Sequence, residues 1–198
     1  MTDFAVHVRA IAAESDVPSD PAEYSRYVVV GPRAGMLAEV PASWPDTSIT
    51  LWRDFPPGPS TGAIEEELGT ILIASANEAA INEAPGKTYD VPLLILSASR
   101  RLAGEHPPGE ILAMRDINYG LECELQATGV IAVAEYVGPY EVYADCGGAK
   151  ALVVQVELRS HDGSHLVGVN SRIASAADVL ALEHGLRTMR IEPAKLLR

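Results

Sequence analysis

Residues 149–189 constrain the fold more than any other stretch of this chain. Two runs rich in alternating apolar residues, 149–160 and 165–173, flank Asp162-Gly163. That dipeptide suits the paired positive φ angles of a type I′ turn, so the segment reads as a β-hairpin. Pairing outward from the turn sets Leu158 opposite Val167 and Val156 opposite Val169. Gln155, Glu157 and Arg159 then share the other face. A helix is expected next, over 176–190. Ser175 is its N-cap and Asp178 stands at the capping-box position. Val179, Leu182, Leu186 and Met189 step by three and four along one side, and Glu183 and Arg187 pair on an open flank.

The remaining pattern is dominated by extended segments. Strands are expected at 24–30, 36–40, 48–55, 91–98, 121–127 and 129–137, with 111–117 and 140–144 extended as well. In 121–127, Leu121, Cys123, Leu125 and Ala127 share one face. A long helix is expected from Ser60 or Thr61 to Pro85-Gly86. Glu65, Glu66 and Glu67 lie in its first turns, where the helix dipole favours negative charge, and Ile64, Leu68, Ile71, Leu72 and Ala79 form its apolar side. Residues 2–14 fit either a helix or a strand, and Ala10, Ala12 and Ala13 favour the helix. The segments 55–62 and 99–110, rich in Pro and Gly, read as irregular connections. Long runs of strands with two or three helices make this an α+β chain with a mostly antiparallel sheet. It ends in the C-terminal β-hairpin followed by a helix. A length of 198 residues fits a single domain, 1–198. With only two Phe and two Trp, its core must be built from Val, Ile, Leu and Ala.

The formal net charge is −12. Such a surface repels nucleic acid and anionic membranes and suits a basic protein partner. No stretch approaches the ~18 apolar residues of a membrane helix, and the N-terminus has no basic segment before an apolar run. The expectation is a soluble cytoplasmic protein. Two cysteines give neither a disulfide framework nor a metal spacing.

Cys146 is the candidate nucleophile. It sits in Asp145-Cys146-Gly147-Gly148-Ala149-Lys150, where a glycine turn exposes a thiol and Lys150 favours the thiolate, although Asp145 opposes it. Cys123 reads as a buried structural thiol by its parity. Arg100, Arg101, Arg115 and Lys150, with His106, are candidates for gathering a carboxylate or phosphate, so a small anionic ligand is the alternative partner. His161 and His165 fall on opposite faces of the hairpin and do not converge on a metal. Neither a phosphate loop, a Gly-x-Ser-x-Gly elbow nor a His-Glu-x-x-His helix is present, and no cofactor is implied. The leading expectation is therefore an acidic protein-binding module, similar in composition to immunity or antitoxin-type inhibitors. The alternatives are a small enzyme with a loop Cys/Arg pocket, and a small-ligand-binding β-rich domain with an apolar cavity beside 129–137.

Overall fold

Period-two alternation governs most of this chain in the computed structural model, which describes residues 4, 8, 23–30, 34–53, 67–83, 88–116, 119 and 121–193. The strands are β1 (Tyr24–Val30), β2 (Ala34–Pro41), β3 (Asp46–Arg53), β4 (Glu67–Ser75), β5 (Leu93–Ser99), β6 (Glu124–Val133), β7 (Tyr136–Ala144), β8 (Leu152–Ser160), β9 (Leu166–Ile173) and β10 (Arg190–Pro193). The helices are α1 (Glu78–Glu83), α2 (Arg100–Glu105), α3 (Pro108–Asp116) and α4 (Ala176–Thr188). Phe4 and Val8 are also helical and buried, and the rest of 2–14 lies outside the described residues.

Among the described residues every strand pairing is antiparallel. Seven strands form one sheet in the order β3-β4-β5-β9-β8-β7-β6, and β1-β2-β10 form a second. One face of the large sheet carries the main core. Leu72, Leu94, Leu96, Val142, Val154, Val156, Val167 and Val169 project from it against Met36, Ala38 and Val40 of β2 and Val179, Leu182 and Leu186 of α4. The helix α4 is closed by the expected box, with the Ser175 side chain and the Asp178 carboxylate exchanging bonds with each other's backbone N–H. It stops at Thr188, and β10 then returns to β2 instead of the helix running to 190. Glu183 is buried rather than on an open flank, 3.8 Å from Arg187.

Four expectations change. Among the described residues, the helix expected from Ser60 or Thr61 is a strand over Glu67–Ser75 and helical only over Glu78–Glu83, while 60–66 and 84–86 lie outside them. Thr70, Leu72 and Ala74 are buried at alternate positions, and the β-branched residues Thr70, Ile71 and Ile73 suit a pleated surface better than a helix. The presumed connection 99–110 instead carries α2 and α3, with 111–116 helical rather than extended. The Ser99 hydroxyl caps α2 by accepting from the Leu102 N–H at 3.0 Å, and Pro108 opens α3. In 121–127 the strand begins only at Glu124, and a register shift lies between Leu125 and Ala127. The preceding turn and this bulge break the expected parity, so Leu121 is 86% exposed and Leu125 50%.

The hairpin keeps its register but not its turn. Leu158 pairs with Val167 and Val156 with Val169. The loop, however, spans 161–164, and only Gly163 adopts a positive φ, at 72°. The Gly163 N–H donates to the Ser160 carbonyl at 2.9 Å and the Ser160 N–H to the His165 carbonyl at 3.0 Å. This is a turn with its left-handed residue after the two central ones, not a type I′ pair.

Candidate functional site

The second face of the large sheet is unusually polar for a buried surface. Its rows can be followed strand by strand. Glu141 of β7 is opposite Gln155 of β8, Gln155 opposite Asn170 of β9, and Asn170 opposite Ile95 of β5. The adjacent row runs Tyr143, Val153, Arg172 and Leu93. On the other side lie Glu157, Gly168 and Ser97. Gly138 of β7 is required beside this row, because a Cβ there would meet the Glu157 carbonyl oxygen at 2.0 Å.

Apolar groups seal this face at both ends. At one end Leu166 packs with Leu102 and Ala103 of α2 and Ile111 of α3. Arg159 fastens that end by donating from Nη2 to the Ala103 and His106 carbonyls at 2.5 and 2.7 Å, which satisfies carbonyls at the end of α2. At the other end Val153, Ala151, Tyr143, Tyr89 and Cys146 cluster. Between the two seals the polar row is left.

Gln155 stands at its centre and is only 1% exposed. Neither its Nε2 nor its Oε1 has a hydrogen-bond partner among the described residues. Asn170 donates from Nδ2 to the Tyr119 hydroxyl at 3.0 Å, but its buried Oδ1 accepts nothing there. Arg172 donates from Nη1 to the Thr88 carbonyl and hydroxyl at 3.2 and 3.3 Å, while its buried Nε has no partner among the described residues.

Three tyrosines border these residues. The Tyr119 ring lies 5.9 Å from that of Tyr143 and 6.4 Å from that of Tyr89, and the Arg172 guanidinium sits 5.2 Å from the centre of the Tyr89 ring. The Tyr89 hydroxyl donates to Glu122 at 2.8 Å. Burial first, then this bond to an anion, pushes its pKa up to about 12, so it stays protonated and serves as a donor.

The expected site residues are elsewhere. Cys146 is buried and joined to Cys123 in a disulfide, so it is no nucleophile while the bond stands. The pairing of β6 with β7 accounts for this: Glu124 is opposite Ala144, which brings the residues flanking the two strands together. Arg101 forms an ion pair with Glu105 at 2.9 Å. Arg100 is exposed and donates from Nε to His165 Nε2 at 2.9 Å. Arg115 lies in α3. Lys150 is exposed before β8, whereas Arg100 faces the far end of that strand. About ten residues of extended chain, ~30 Å, separate those ends. The structure thus assembles no common pocket from Arg100, Arg101, Lys150 and Cys146. In the run 129–137, Val130 is 72% exposed, whereas Ile131 and Val133 are buried in the main core.

One Ser–His contact deserves chemical scrutiny. The Ser164 hydroxyl lies 2.7 Å from His165 Nδ1, as in a nucleophile–base pair. Arg100 donates to Nε2, which therefore carries no proton, and in the neutral ring the proton is on Nδ1. Nδ1 then donates to Ser164 rather than accepting from it, and the Ser164 hydroxyl donates to Asp162 at 2.6 Å. Asp162 also accepts from the Ser160 hydroxyl at 2.6 Å, and these bonds hold its carboxyl well below the usual range. The group locks the hairpin tip and has no base for a serine attack.

The sequence places Gln155 on this face but carries no motif that marks it. The available signal was three polar residues alternating within a strand that has β-rich segments on both sides. Asn170 and Arg172 follow from the same register. Among the described residues no helix is long and apolar enough to cross a membrane. Compared with known proteins, the chain matches no family model and no curated protein.

Proposed function

We propose that this protein is a small-ligand-binding β-rich domain whose site is the polar row of β7, β8 and β9. One observation carries the reading: both polar atoms of the Gln155 carboxamide are buried with no partner among the described residues. Leaving a buried amide without a hydrogen-bond partner costs about 1–3 kcal/mol. A ligand that reaches these atoms recovers that cost. The expectation of an acidic docking surface has less behind it. Glu67 begins β4 rather than a helix, and Glu65 and Glu66 lie outside the described residues.

The test is Gln155→Leu. Removing an unpaired buried amide should leave the ligand-free protein as stable or raise its melting temperature by roughly 2–4 °C per kcal/mol recovered. A ligand found by thermal-shift screening should stabilise the wild type and no longer stabilise the variant. A marked fall in the melting temperature of the ligand-free variant would show that bound water satisfies Gln155 as part of the core, and would overturn the reading.

A further inference from the structure

We infer that the ligand of this row is a flat ring bearing an uncharged amide-type edge, with one donor beside one acceptor. The inference rests on the reading of this face as a ligand site. Gln155 offers a donor at Nε2 and an acceptor at Oε1, both unmatched among the described residues. A group that satisfies both must present an acceptor and a donor side by side. A primary amide, a lactam or the amide-like edge of a nucleobase does so.

The neighbours extend the same pattern. Asn170 is directly across from Gln155 and donates one N–H to Tyr119, and its Oδ1, unmatched among the described residues, can take a second donor. Arg172, two residues along the same strand face, has its unmatched Nε as a further donor. A carboxylate offers acceptors alone. It would leave the Gln155 and Asn170 oxygens unmatched and place an anion one strand from Glu141. An amidinium offers donors alone. It would leave Gln155 Nε2 and Arg172 Nε unmatched and place a cation near the Arg172 guanidinium. The border of Tyr89, Tyr119 and Tyr143 suits a ring, because aromatic groups pack against one another in edge and offset arrangements.

Benzamide, benzoate and benzamidine separate these possibilities, since they share one ring and nearly one shape. Each is titrated into the full-length, disulfide-intact protein while the side-chain NH₂ signals of Gln155 and Asn170 are followed by NMR. Benzamide should shift both signals and bind at least about tenfold more tightly than either charged probe, because each charged probe strands buried polar atoms. Gln155→Leu should abolish the benzamide effect. Tighter binding of benzoate or benzamidine at the same signals overturns the ligand class and leaves the site in place. If no probe moves these signals at millimolar concentration, the class is overturned. The site itself is then decided by the melting behaviour of Gln155→Leu without ligand.

Discussion

His165 shows how one buried side chain sets a pH response. Burial, and then the Arg100 guanidinium, lower its pKa from the ordinary 6.5. The bond from Arg100 Nε needs an unprotonated Nε2, so the fold favours the neutral ring. Between the lowered pKa and 6.5 the unfolded chain binds more protons than the folded one, and stability therefore rises with pH there. The contribution is complete above 6.5 and is lost as the pH falls below it towards the folded-state value. Urea unfolding at pH 7.5 and pH 5 should show a drop on acidification that is smaller in His165→Gln. Asp178 works in the opposite direction, since burial raises its pKa, but it is common to both proteins and cancels in the comparison. An equal drop in both would separate His165 from the effect.

At the level of elements, α4 is the joint between the two sheets. Leu186 is buried against the main core, and Leu186→Ala should cost about 2–5 kcal/mol in chemical unfolding. A near-neutral result would mean that this face of the helix can collapse around the loss. The helix was readable in the sequence because its cap, its capping-box acid and its apolar steps all agreed. The register of β8 with β9 was readable for a similar reason, as alternation on both strands fixed one alignment. For β4 the sequence supports two periods: Leu68, Ile71, Leu72 and Ala79 fit helical steps while Thr70, Leu72 and Ala74 fit alternation, and long-range pairing with β3 and β5 decides between them. The polar row was hidden for a further reason. Sequence shows that Gln155 opposes the apolar face of its strand, but its burial depends on α2, α3 and the Tyr119 turn covering that surface.

Across the whole molecule, long-range connections dominate. The Cys123–Cys146 bond spans 23 residues and fastens the Tyr119 turn to the strap before β8. Chain-entropy arguments give about 3 kcal/mol for a loop of that size. Replacing both cysteines with alanine should lower the unfolding free energy by about that amount, with faster amide exchange concentrated at Tyr119–Cys123 and 145–148. Disulfides persist in oxidising compartments, so this bond lends no support to a cytoplasmic setting. The closure of the small sheet has a consequence of a different kind. Its middle strand is β2, one neighbour of which is the adjacent β1 and the other is β10, about 150 residues further on. At a synthesis rate of roughly 5–20 residues per second, β2 leaves the ribosome about 8–30 s before β10 can pair with it. For that interval the β2 edge that receives β10, with Met36 and Leu37 among its pairing residues, is open, and a nascent chain must be kept from joining that edge to another copy until its own last strand arrives.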